Sequence, residues 1–222
     1  PVWDGEGNVV ATLNYTYYAK NGVKDMAHRP LMISCHGMNQ DIKYQRELTQ
    51  WETVADTADF IVAYPSSVGS TWEINGKSDL EYIIAIIEQL EKTHKIDRTR
   101  VYMSGFSMGG MLTYHCMNEI PDYFAAFAPI SGYMGSRVEA GTRPVPLIHT
   151  HGTSDGVVSY PPTNGWIGAE ATAENWAKHN KTTEKTKYTV ESANITKWSG
   201  GECDADVVLA SVPGRDHEPT NR

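Results

Sequence analysis

The sequence predicts an α/β fold with a mostly parallel central sheet and helices on both of its faces. Near-continuous apolar, β-branched runs recur along the chain, as strands buried on both faces require. Helical patterns of about three turns separate those runs, and this alternation marks βαβ units. No repeat, low-complexity tract or Pro/Gly/Ser-rich linker interrupts the 222 residues, so one domain over 1–222 is expected.

The predicted strands are Val9–Tyr18, Pro30–His36, Phe60–Tyr64, Arg100–Ser104, Ala125–Ile130, Val145–Thr150 and Val207–Val212. The plainest helix runs from Asp79 to about Thr93. Leu80, Ile83, Ile84, Ile87 and Leu90 recur there at helical spacing, while Glu81, Glu88, Gln89 and Glu91 cover the other side. Ser78, with Glu81 three residues on, reads as a capping box, and Lys92, His94 and Lys95 suit a helix C-terminus. Further helices are expected over about Tyr44–Ala58, Glu170–Asn180 and Met108–Asn118, with Pro121 limiting the last of these.

Charge and composition narrow the function classes. The chain carries 19 Lys and Arg against 27 Asp and Glu, a formal balance of −8. Such a chain lacks the basic footprint of a nucleic-acid binder and the Lys/Arg clusters that hold a protein on an anionic membrane. No run of about 18 apolar residues predicts a membrane-spanning helix. The three cysteines, Cys35, Cys116 and Cys203, show no CxxC or zinc-ligand spacing, so no metal site is expected. Cys35 and Cys116 lie in apolar and helical patterns and are expected to be small buried hydrophobes. The sequence starts at Pro1, consistent with a processed, secreted protein or a trimmed piece of one.

In parallel sheets of this kind ligands bind beyond the carboxyl ends of the strands. The run Arg100–Ser104 leads directly into Gly105-Phe106-Ser107-Met108-Gly109-Gly110, a G-x-S-x-G motif followed by a helical pattern. A serine between strand and helix sits on a tight, strained turn with its hydroxyl projecting from the sheet. Glycines two before and two after are needed because side chains there would collide. The helix behind supplies free N–H groups, and the N–H of Met108 would face a developing oxyanion. A Gly-rich turn without chemistry is the bland alternative. Leu31–His36 ends in His36-Gly37-Met38-Asn39-Gln40, where the Met38 N–H is the expected second oxyanion donor and Gln40 is expected to brace the loop through its amide. His36 reads as a structural histidine that shapes this loop.

A serine nucleophile needs an acid and then a histidine, in that chain order. Val145–Thr150 runs into His151-Gly152-Thr153-Ser154-Asp155, placing Asp155 beyond a strand end. There it could accept the Nδ1–H of a base. A turn aspartate bonding its own backbone is an equal reading, and Asp122, Asp204 and Asp206 compete for the role. After Asp155 only His179 and His217 remain. His179 falls in a charged helix and reads as a solvated side chain, whereas His217 follows the strand Val207–Val212 and the loop Pro213–Asp216. His115 lies about two turns down the helix from Ser107. His149 and His151, two apart on one strand face, read as core packing or as lining of the site. Trp72 and Trp166, in Gly-containing segments after strands, are candidate platforms for a sugar or phenolic ring, and with Gln40 they form the expected substrate-binding set.

Together these segments resemble the carbohydrate-esterase family of feruloyl and acetylxylan esterases, related to polyhydroxybutyrate depolymerase-like esterases of the α/β-hydrolase superfamily. The matching stretches are His36–Gln40, Ile96–Tyr102, Gly105–Gly110, His151–Asp155 and Val212–Gly214 leading to His217, in the family's order. The resemblance implies an eight-stranded α/β-hydrolase fold, no cofactor, and Ser107, Asp155 and His217 as nucleophile, acid and base. It also implies a closing helix after the base histidine, where this sequence ends at Arg222. Depolymerase-like members carry Trp-Pro after that histidine; here it is Glu218-Pro219, which weakens the depolymerase reading.

The expected function is that of a secreted serine esterase, removing feruloyl or acetyl groups from a polysaccharide such as xylan through an acyl-enzyme. The partner is the polysaccharide-linked ester, with no nucleic acid and no membrane. The alternatives are a depolymerase-like esterase, a serine peptidase of the same fold with a substrate-anchoring domain, and an inactive hydrolase fold used as a binding module.

Overall fold

The computed structural model describes residues 2–3, 9–11, 14–20, 28–134, 138, 141–163 and 165–218. In chain order its strands are β1 (Val2–Trp3), β2 (Val9–Ala11), β3 (Tyr15–Tyr18), β4 (Leu31–Cys35), β5 (Ile61–Pro65), β6 (Val101–Phe106), β7 (Ala126–Ile130), β8 (Leu147–Gly152), β9 (Glu184–Val190), β10 (Ala193–Ser199) and β11 (Val207–Val212). The α-helices are α1 (Ile42–Thr49), α2 (Trp51–Ala58), α3 (Ser78–His94), α4 (Met108–Glu119) and α5 (Ala169–His179).

Nine strands form the main sheet in the order β3-β5-β4-β6-β7-β8-β11-β10-β9, while β1 and β2 pair separately. From β5 to β11 every neighbouring pair is parallel, and β3, β10 and β9 add antiparallel edges. Register brings three strand ends to one side of the sheet, β8 and β11 level with each other and β6 ending two residues short of them. Phe106 pairs with Ile130, Ile130 with Thr150, and Gly152 with Val212. The loops leaving β6, β8 and β11 therefore emerge along one rim, which is what a three-part site requires.

Alternation along the strands decides where helices pack. Leu31, Ile33 and Cys35 of β4 and Ile61 and Ala63 of β5 join the main core with residues of α3, α4 and α5. Val62 and Tyr64 face the other way, into a smaller cluster with Ala55, Ile42, Trp51 and Met32. Period-two side chains thus give helices on both faces of the sheet. Cys35 and Cys116 are buried and unpaired, and Cys203 is exposed and unpaired.

Several expectations are corrected. The predicted strand Val9–Tyr18 is two strands, β2 and β3, with 12–13 outside the described residues. The single helix Tyr44–Ala58 is α1 and α2, broken at Gln50, whose left-handed φ of 49° turns the chain without a glycine or proline to announce it. The capping box at Ser78 does not form. Ser78 is already helical, and its N–H and hydroxyl both donate to Glu73 Oε2. Ile86 rather than Ile84 completes the buried face of α3. The hairpin β9–β10 was not foreseen, and it makes the sheet nine-stranded rather than the eight implied by the resemblance. All seven residues of β9 are exposed, so it has no apolar alternation to read.

Candidate active site

Ser107 sits between β6 and α4 with φ 55° and ψ −118°, a conformation that costs a side-chain-bearing residue about 1–3 kcal/mol and persists only where its surroundings enforce it. Two hydrogen bonds and two close glycine approaches do so. The Ser107 N–H donates to Ile130 O at 2.9 Å, and Met111 N–H donates to Ser107 O at 3.0 Å. The flanking glycines let strand and helix close together. A Cβ on Gly105 would lie 2.1 Å from Gly109 O, and one on Gly109 would lie 2.3 Å from Cys35 O. The tight turn at Ser107 is therefore demanded by backbone contact, as the glycine spacing implied.

His217 Nε2 stands 2.9 Å from Ser107 Oγ, and His217 Nδ1 stands 2.8 Å from Asp155 Oδ2. The far oxygen of Asp155 accepts N–H bonds from Val157 (2.9 Å) and Val158 (2.8 Å), so the carboxylate is aimed by its own loop. Asp155 thus bonds its own turn through Oδ1 and meets His217 through Oδ2. Burial resists ionisation of Asp155, but hydrogen bonds from His151, His217 and Val157 outweigh it and hold the carboxyl well below the usual carboxylate range. Among the competitors, Asp122 bonds Arg143 and Asp206 pairs with Lys197, both away from this line.

The loop carrying His217 is stitched to the loop carrying Asp155. Gly214 N–H donates to Thr153 Oγ1 (2.9 Å), Ser154 N–H to Arg215 O (2.9 Å) and Thr153 N–H to Val212 O (3.0 Å). Asp216 Oδ1 accepts from both Gly156 N–H (2.9 Å) and His217 N–H (2.7 Å), and these bonds lower its carboxyl as well. The His217 ring also lies against Phe106, 4.8 Å between centroids. Sequence reading missed Thr153 and Asp216, because a cross-loop hydrogen bond leaves no periodic signal.

His36 has the structural role expected of it. Its Nδ1 is 2.7 Å from Gly37 O, which can only accept, and Ser67 N–H donates to its Nε2 at 3.3 Å. Gln40 Oε1 accepts the Gly37 N–H at 2.9 Å and so braces the loop. Trp72 is corrected: it is buried, its indole N–H donates to His36 O (2.7 Å) and its ring packs on the His36 ring, so it supports the loop and offers no face to a sugar. Trp166 is 42% exposed and lines a cleft of about 430 Å³ with Ser107, Met38, Met108, Met111, Val157 and Val158. His115 bonds Gly76 O and is remote from this cleft, and His179 is half-buried against Trp176 rather than solvated. Among the described residues no group of three or more His, Cys, Asp or Glu could hold a metal ion, and no helix is long and apolar enough to cross a membrane.

The fold finds its counterpart in solved structures. The acetyl xylan esterase from Aspergillus awamori superposes with a TM-score of 0.75 at 18% identity, over 94% of this chain and 90% of that one. The chain has the α/β-hydrolase fold. In sequence the chain is 42% identical over 197 residues to the bifunctional acetylxylan esterase/xylanase XynS20E of Neocallimastix patriciarum. It is 25% identical over 219 residues to feruloyl esterase B of Piromyces equi. The matches cover 86% and 85% of the chain but 29% and 39% of those longer proteins. The profile of the prolyl oligopeptidase family matches residues 47–142. The resemblance to acetylxylan and feruloyl esterases read from the motifs therefore extends over most of the chain.

Proposed function

We propose that this chain is a serine carboxylic-ester hydrolase that frees feruloyl or acetyl groups from plant cell-wall polysaccharide such as xylan, as a secreted protein. The observation that carries the reading is the continuous Ser107–His217–Asp155 line, 2.9 Å and 2.8 Å, opening on an apolar cleft. The likeness to acetylxylan and feruloyl esterases supports the substrate class.

The chemistry follows from the geometry. His217 Nε2 takes the Ser107 proton as Oγ attacks the ester carbonyl, and Asp155 holds the imidazole in the Nδ1–H form and stabilises the imidazolium. The tetrahedral oxyanion forms beside Met108, the first helical residue of α4, whose N–H has no carbonyl partner within the helix. Met38, lining the same cleft, supplies the second N–H. One such donor is worth about 10²–10³ in kcat. His217 then protonates the leaving sugar oxygen, and water, activated the same way, releases the acid and restores Ser107. The exposed Trp166 offers a face to an aromatic acyl group, and a cleft of about 430 Å³ is within the range that encloses one.

The match to the prolyl oligopeptidase family favours one second reading, a serine peptidase on the same triad. Rates on methyl ferulate, acetylated xylan, p-nitrophenyl acetate and a peptide p-nitroanilide separate the two. Ester turnover that vanishes in Ser107→Ala, with the anilide untouched, is the expected result. Anilide cleavage faster than any ester would transfer the function to the peptidase reading.

A further inference from the structure

Two histidines that the reaction does not use lie directly behind its acid. His149 and His151 alternate along β8 on its core-facing side, both fully buried, with rings stacked 5.2 Å apart at 13°. His151 Nε2 is 2.8 Å from Val158 O and 3.2 Å from Asp155 Oδ2, the same oxygen that meets His217. His151 Nδ1 is 2.9 Å from His149 Nε2, and His149 Nδ1 is 2.7 Å from the hydroxyl of Tyr114.

These contacts fix the protons. A peptide carbonyl only accepts, so His151 Nε2 carries hydrogen and, in the neutral ring, Nδ1 carries a lone pair. His149 Nε2 must then donate to it, which leaves His149 Nδ1 to accept from the Tyr114 hydroxyl. Every donor in the row points the same way, from the core toward Val158 O and the adjoining Asp155 carboxylate. Burial keeps His149 neutral by pushing its proton affinity well below the ordinary imidazole range, and burial pushes the Tyr114 phenol well above its own. Val158 closes the arrangement, its N–H on Asp155 Oδ1 and its carbonyl on His151.

We propose that His151 is a positioning residue for the hydrolysis: its Nε2–H, held in that tautomer by the row Tyr114–His149, keeps Asp155 Oδ2 directed at His217. The proposal rests on the Ser107–His217–Asp155 reading above. Stacked aromatic packing alone would not require one tautomer at two successive rings or an N–H beside the acid.

The test compares His151→Gln, whose amide can present an N–H near the Nε2 position, with His151→Phe, which fills the space without a donor. On p-nitrophenyl acetate His151→Phe should lower kcat about 10-fold or more with KM within about twofold, the loss expected for a hydrogen bond to a buried charged group. His151→Gln should recover most of that rate. Equal kcat in His151→Phe and the unaltered protein, or a loss that His151→Gln does not relieve, overturns the positioning role. If His151→Phe does not fold, ¹⁵N imidazole spectra of the unaltered protein decide: both rings neutral with Nε2 protonated is expected, and any Nδ1–H or doubly protonated ring overturns it. Hydrolysis that persists in Ser107→Ala is the separate result that removes the underlying triad reading.

Discussion

The Ser107 hydroxyl oxygen stands 2.9 Å from His217 Nε2, although 110 positions separate them in the chain. The loop that closes this distance is held by hydrogen bonds to the loop of Asp155, so Ser107, His217 and Asp155 share one mechanical frame. Changes to the frame should act on kcat before they act on stability.

Asp155→Asn tests the acid in two ways. An amide offers His217 Nδ1 the wrong tautomer partner, so kcat for p-nitrophenyl acetate should drop about 10⁴-fold with KM little changed. The same variant should flatten the acid limb of stability. Despite burial, hydrogen bonds from His151, His217 and Val157 lower the Asp155 carboxyl, so the folded state binds its proton less readily than the unfolded chain. The stabilisation is therefore complete above the ordinary carboxylate range, about pH 4, and fades as pH falls below it. Urea midpoints measured from about pH 7 to about pH 3 should decline more steeply for the unaltered protein than for Asp155→Asn. Parallel curves would show that Asp155 is not held ionised.

Trp166→Ala should separate acyl groups. With its exposed ring on the cleft beside Ser107, its loss should raise KM for methyl ferulate about 5-fold or more and change p-nitrophenyl acetate less than about twofold. Equal effects on both esters would mean that the ring does not receive the acyl group.

Gly105→Ala probes the nucleophile turn. Its Cβ would meet Gly109 O at 2.1 Å and Gly109 C at 2.3 Å, both backbone atoms that cannot swing aside. Destabilisation of about 3 kcal/mol or more, read from a shifted urea midpoint, is expected. An unchanged midpoint would show that β6 and α4 are not as close as the structure has them.

The sequence made the central parallel strands legible because they are buried on both faces and read as apolar runs. It made Ser107 legible because strand, glycines and helix coincide there. It left Asp155 level with a simple turn aspartate, because the two differ only in which residue faces the second oxygen. Trp72 was misassigned for a related reason: a Gly-containing loop says that an indole is near a strand end, not which way it turns. The β9–β10 hairpin escaped because its outer strand is polar throughout, and the break at Gln50 because a left-handed glutamine has no composition signal.

Asn180 is another residue that only the structure reveals. Fully buried at the end of α5, it donates to Val145 O (2.8 Å) and Ala205 O (2.9 Å) and accepts from Val145 N–H (3.3 Å), tying the entries to β8 and β11. Asn180→Ala strands these buried groups and should cost about 2–3 kcal/mol in urea unfolding, with kcat of the folded fraction unchanged. A loss of kcat at constant stability would contradict a purely structural role.

The most direct test of the account is covalent capture by a fluorophosphonate, followed by intact mass and peptide mapping. One adduct per chain, on Ser107, abolished in Ser107→Ala and slowed about 10³-fold or more in His217→Gln, is the predicted result. No adduct on the folded protein, or an adduct on any other residue, would contradict it.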